Sequence, residues 1–110
     1  MAFNVIRRTI MEREYILCAA VWFDDGIYHK HQPTPIETGY VICGYRHDNC
    51  YLTRSLMNNT TVSESSYPKN KQGFLTSFDR FVDREEGAII AFLADQIHKE
   101  TECLISEDLY

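Results

Sequence analysis

Residues 15–23 read YILCAAVWF, nine positions with no charge and no proline, and Asp24, Asp25 and Gly26 follow at once. The run is far short of a bilayer span, and its β-branched and aromatic content favours extended backbone over helix. A strand that is apolar throughout is stable only inside a sheet with both faces covered. The chain is therefore predicted to build its core around a central strand here, closed by an Asp-Asp-Gly turn.

Residues 39–44 form a second apolar stretch bounded by glycines and predict a second buried strand. Residues 27–31 alternate as a short strand would, until Pro33 and Pro35 break the pattern, since proline donates no ladder hydrogen bond. Two helices are predicted. In the first, over 48–57, Asp48 accepts from the free amides of the opening turn and Asn58 or Asn59 closes the helix in the left-handed region. Leu52 and Leu56, with Tyr45 or Cys50, are expected on its inner face. The second, over 84–97, opens with Asp83 and Glu86 in capping-box spacing and carries Ala88, Ile89, Phe92, Leu93 and Ile97 as its apolar face. Gly87 counts against it by about 1 kcal/mol relative to alanine. Residues 73–77 predict a strand, 78–82 a turn with a short extended piece, and 102–109 a last strand. Residues 58–71 are polar and predict a long loop, and 1–13 a short strand or an arm. The fold class is α+β: one small domain over residues 1–110, with a mixed β-sheet and two main helices.

A chain of 110 residues with 45% hydrophobic content supports one core without staples. The formal net charge of −5 argues against a nucleic acid duplex as partner, because phosphate contacts need a basic excess. None of the four cysteines forms a C-x-x-C pair, and residues 1–13 contain three arginines but no apolar secretory core. A cytoplasmic protein with reduced thiols and no membrane partner is expected.

Two segments carry candidate chemistry. Residues 44–49, GYRHDN, lead from a strand into a helix, where unpaired amides and the helix dipole attract anions. Arg46 and His47 add a permanent and a titratable donor, and Asn49 an amide able to read a hydroxyl or a base edge. Residues 76–86 again run from a strand through a turn into a helix, with Thr76, Arg80 and Arg84. If the strands are neighbours, both helix starts face one cleft at the same sheet edge, suited to phosphate. The plainer alternatives are a solvated Arg46 or Arg80, a turn-capping His47, and an Arg84 paired within its own first turn. Trp22, Phe23, Tyr45, Phe78 and Phe81 lie near strand ends, where a ring can stack on a base.

Other motifs are weaker. His29 and His31 can share a strand face, but no third metal ligand is apparent. Cys50 follows His47 by three residues, yet a helical cysteine suits the core better than a nucleophile's role. Arg84-Glu85-Glu86 resembles part of the Nudix signature, but asparagine at 70 and threonine at 76 break the required spacing. No catalytic residue, metal or cofactor is assigned; were the chain an enzyme, His47 would be its general acid or base.

Residues 16–26, 39–49, 72–97 and 104–110 together resemble a family of short tailed-phage proteins. The most specific pieces are Arg46-His47-Asp48-Asn49, Gly73-Phe74-Leu75-Thr76, residues 80–85 and the ending 106–110, while Gly87 and Asp95 stand where alanine and glycine are expected. Because small phage proteins of this kind often counter bacterial defence, the resemblance implies an anti-defence protein acting in the cytoplasm of an infected bacterial host. It would sequester a nucleotide-derived immune signal, such as a molecule of the cyclic ADP-ribose type or a cyclic oligonucleotide. Arg46, Arg80 and Arg84 would hold phosphates, and Asn49 and Thr76 the ribose or base. A homo-oligomer is expected, since a small domain gains a deeper pocket at a subunit boundary. The alternatives are an enzyme that cleaves such a signal and an interaction protein that masks a bacterial target.

Overall fold

The computed structural model describes residues 13–57 and 69–109. The elements are β1 (Ile16–Asp24), β2 (Tyr40–Gly44), α1 (His47–Met57), β3 (Lys69–Thr76), β4 (Phe81–Asp83), α2 (Arg84–Leu93) and a short 3-10 turn, Ser106–Asp108. The sheet order is β2-β1-β3-β4. The apolar run is thus an interior strand, as its composition predicts. The arm expected at 1–13, apart from Arg13, and the loop expected at 58–71, apart from its last three residues, lie outside the described residues. So does the closing role given to Asn58 or Asn59.

The α+β class stands, but the sheet is antiparallel throughout rather than mixed. The connections explain the difference. A turn-rich loop joins β1 to β2 and a tight turn joins β3 to β4, and such links pair strands antiparallel. The helical crossover through α1 skips β1, which lies between β2 and β3 and runs against both. Among the described residues the parallel pairing is one isolated bridge, Thr34 to Arg80.

Both helices cover one face of the sheet. Against β1 and β2, Cys50 of α1 joins Val21, Phe23 and Ile42. Against β3 and β4, α2 places Ala88, Ile90 and Ala91 on Ile16, Ala19, Phe74 and Val82, with Ile97 and Leu104 closing the cluster. The β1–β2 loop serves the opposite face, where the Trp22 indole donates to the Thr38 carbonyl at 2.8 Å and meets Phe81 edge-on. Residues 27–31 are loop, not strand. Asp24 and Asp25 side chains accept from the amides of Gly26 and Ile27, and Gly26 and His31 both have positive φ.

The inner faces of both helices match expectation only in part: Cys50, Ala88 and Ile97 are buried as predicted, but other positions differ. In α1 the buried residues are His47, Cys50 and Arg54, whereas Leu52 and Leu56 are exposed. The Arg54 guanidinium lies over the Phe23 ring at 5.9 Å, so a long side chain covers apolar surface there. In α2 the buried residues are Gly87, Ala88, Ile90 and Ala91, whereas Ile89 and Leu93 are exposed. Small residues face the sheet because Phe74 fills the space: a Cβ on Gly87 would sit 3.0 Å from its ring. Gly87 is therefore a packing device, which offsets its helical cost. Asp83 caps α2 as predicted, accepting from the Glu86 amide at 2.8 Å. The helix stops at Leu93 instead of 97, with Asp95 at φ 61°. Residues 102–109 are not a strand: Leu104 is buried, its amide bonded to the Arg84 carbonyl at 2.9 Å, and the 3-10 turn follows.

Candidate functional site: a cleft between two helix starts

Gly44, the last residue of β2, is registered opposite Ala19, Ala19 opposite Phe74, and Phe74 opposite Val82. The strands that feed α1 and α2 therefore end in nearly the same row. The two helices begin near each other over the middle of the sheet, rather than at one sheet edge. The chain reverses tightly after Gly44, where a Cβ would meet that of Asn49 at 2.9 Å. Asn49 fixes this reversal by accepting from the Arg46 amide at 2.9 Å. Its side-chain oxygen thus serves the turn.

His47 is buried against the edge of Phe74, ring centroids 5.2 Å apart. Its Nε2 lies 2.8 Å from the Gly73 carbonyl oxygen, which can only accept, so Nε2 carries the proton. Burial pushes the imidazole below its ordinary pKa. The Gly73 bond opposes that shift and the positive charge of Arg84 adds to it. Arg84, the first residue of α2, donates through Nη2 to Gln72 Oε1. Its Nε is buried and has no hydrogen-bond partner among the described residues. Arg46 rests over the Tyr45 ring and places Nη1 3.6 Å from a Glu107 carboxylate oxygen. Arg46, His47, Asp48, Gln72, Arg84, Ser106 and Glu107 are among the residues that line a cavity of about 180 Å³, so two guanidinium groups share it with two carboxylates.

The structure thus brings together Arg46, His47 and Arg84, with Asn49 beneath them as a turn-forming residue. It does not bring Thr76 or Arg80 to that cleft. Both are occupied by Glu14, which accepts from Thr76 Oγ1 at 2.6 Å and from Arg80 Nε and Nη2 at 2.7 and 2.8 Å. Arg80 also reaches Glu86 at 3.0 Å. The Arg80 hydrogen bonds hold the Glu14 carboxyl below the usual carboxylate range, and the pairing raises the pKa of Arg80. Sequence reasoning missed Gln72, Ser106 and Glu107 in the cleft. The signal for the last two was the 106–110 ending, already one of the most specific pieces of the resemblance.

The remaining candidates are structural. His29 pairs with Asp25 at 2.8 Å, and no cluster of three or more metal-ligating side chains occurs among the described residues. Cys50 points at the carbonyls of Ala19 and Arg46, and burial pushes its thiol up to about 11, far from a nucleophile's range.

The buried imidazole makes a pH prediction. His47 has a lower pKa folded than its unfolded value of about 6.5. Above that value both states are neutral; below it the unfolded chain takes up a proton that the fold resists. Stability should therefore fall as pH drops below about 6.5, with a second loss below the ordinary carboxylate range as Glu14 is protonated. Thermal melts between about pH 8 and pH 5 read the first loss directly, and melts carried down to about pH 3 the second. His47→Gln, which keeps a donor for Gly73, should delay the decline to lower pH. A flat Tm across that range would contradict the assignment.

Among the described residues no helix is long and apolar enough to cross a membrane. No curated protein and no solved structure matches the chain. The model of the family described as phage T4 y16D protein matches residues 15–110, a span that holds every residue of the cleft, and the chain belongs to that family.

Proposed function

We propose that the protein is a phage anti-defence protein that binds a phosphate of a nucleotide-derived immune signal in the Arg46–His47–Arg84 cleft and sequesters it. The observation that carries the reading is the buried, unpartnered Nε of Arg84 in a cleft shared with a second guanidinium. A buried donor without an acceptor costs about 1–3 kcal/mol, which a phosphate oxygen would recover. The start of α1 adds the positive end of its dipole. At about 180 Å³ the cavity suits a phosphate and not a whole nucleotide. The rest of the ligand would lie along the surface or against a second copy, where a homo-oligomer enters the proposal. Binding is favoured over cleavage because His47 already commits Nε2–H to Gly73 and burial disfavours its charged form.

Calorimetric titration with a cyclic ADP-ribose and with cyclic oligonucleotides tests this. Arg46→Ala and Arg84→Ala should each weaken binding about 10- to 150-fold, the worth of one hydrogen bond to a charged group. Lys69→Ala, on the exposed start of β3, should leave affinity unchanged. Ligand recovered intact after heating the complex supports sequestration, and recovered product supports an enzyme. Unchanged affinity in both folded arginine variants would remove the cleft from the binding site.

A further inference from the structure

The outer face of α2 is apolar. Small residues turn toward the sheet, which leaves Ile89, Phe92 and Leu93, spaced i, i+3 and i+4, as one stripe on the other side. Ile89 and Leu93 are 61% and 62% exposed, and Phe92 37%. The stripe lines a cavity of about 490 Å³, together with Glu100 and Glu102. A second cavity, of about 670 Å³, is lined by Arg13, Tyr15, Phe78 and Asp95. Leu93 lines both, so the two are continuous there and make one groove along α2. Arg13 Nη1 donates to the Leu93 carbonyl at 3.1 Å. The chain therefore reaches Arg13 at the residue where the two cavities meet.

We propose that this groove is a docking surface for residues 1–12 of the same chain. Position is the first support, since Arg13 fixes residue 12 at the mouth of the groove. Charge is the second. Residues 1–12 read MAFNVIRRTIME, with Arg7 and Arg8 against a single acid, Glu12. Phe3, Val5, Ile6 and Ile10 supply apolar side chains on both sides of that basic pair. A basic and apolar segment matches a groove with Ile89, Phe92 and Leu93 in it and the carboxylates of Asp95, Glu100 and Glu102 around it.

Length is the third support. The 10 residues of α2 rise about 15 Å. Twelve residues span about 18 Å at the same rise and about 40 Å fully extended, so the segment reaches the far end of the stripe in any backbone form. A second copy seated through the same face fits less well. Around a two-fold axis the acidic rim would meet an identical acidic rim, and like charges would face each other.

The test is native-state trypsin cleavage of the full chain after Arg7 and Arg8, with the cut rate read by mass spectrometry. A free peptide of residues 1–13 sets the unprotected rate. The parent should be cut at least about tenfold more slowly than the peptide, because cleavage follows the population of the undocked segment. Ile89→Asp, which removes an apolar contact, and the double variant Glu100→Lys with Glu102→Lys, which reverses the rim, should each raise the rate about tenfold. All three positions are exposed, so these variants should fold as the parent does. Leu52→Asp, on the equally exposed outer side of α1, is the control and should leave the rate unchanged. Cutting of the parent at the peptide's rate, or an unchanged rate in both groove variants, overturns the proposal. Protection that deepens with protein concentration also overturns it, in favour of a second copy.

Discussion

Gly73→Ala should destabilise the fold by about 3 kcal/mol or more, at or beyond the upper end for overpacking, and should abolish the proposed ligand binding with it. A Cβ at this position would lie 2.1 Å from the Val82 carbonyl oxygen and 2.7 Å from the Phe81 ring. The nearest obstacle is backbone, so β4 itself must move. That strand has three registered pairs with β3, Gly73 with Asp83 among them. Displacing it shifts the Asp83 cap and the start of α2, where Arg84 sits. It also moves the Gly73 carbonyl that accepts a hydrogen bond from His47 Nε2–H. Urea denaturation of parent and variant measures the first effect, and titration with the same nucleotides the second. Gly26→Ala is the control: its Cβ meets nothing within 4 Å, so the cost is only that of the positive φ, about 1–2 kcal/mol. Parent-like stability in Gly73→Ala would mean that β3 and β4 are not paired in this register.

Phe74→Ala should cost about 3–5 kcal/mol, the usual toll for removing a fully buried ring. Phe74 has no exposed surface, and both helices rest on it: His47 of α1 edge-on, and α2 at the one position without a side chain. Neither helix can collapse into the vacated volume without losing its other contacts, so the cavity should persist. Phe74→Leu, nearer in volume and still apolar, should cost much less. The midpoint of chemical denaturation separates the two variants. A loss below about 1 kcal/mol for alanine would show that Phe74 is not the common support of both helices.

Where the sequence is a good guide, the determinant is local. The interior strand follows from its own nine residues, and the Asp83 cap from a spacing of three. The helical faces are misread because their apolar pattern is not what decides burial. Leu52, Leu56, Ile89 and Leu93 have the right spacing for a core-facing stripe. The sheet nevertheless presents Phe74 to α2, which demands Gly87, Ala88 and Ala91, and Phe23 to α1, which accepts the stem of Arg54. The candidate cleft divides in the same way. Arg46, His47 and Arg84 are legible because each adjoins a strand-to-helix junction. Thr76 and Arg80 look equivalent in sequence, but Glu14, 62 and 66 residues away, claims both. No local pattern announces a partner at that distance, and none announces that the C-terminal turn supplies Ser106 and Glu107.

The apolar interior falls into two clusters, one under each helix, joined along β1. The cleft lies over their seam, taking Arg46 and His47 from the α1 side and Arg84 from the α2 side. Two halves joined through β1 and through the packing of His47 on Phe74 can still open to different degrees, each with its own protection of backbone amides against exchange. A ligand gripping both guanidinium groups would turn them into one cooperative unit, so that occupancy is felt as rigidity far from the phosphate itself. Amide exchange that slows together in both helices is then the signature of a filled cleft.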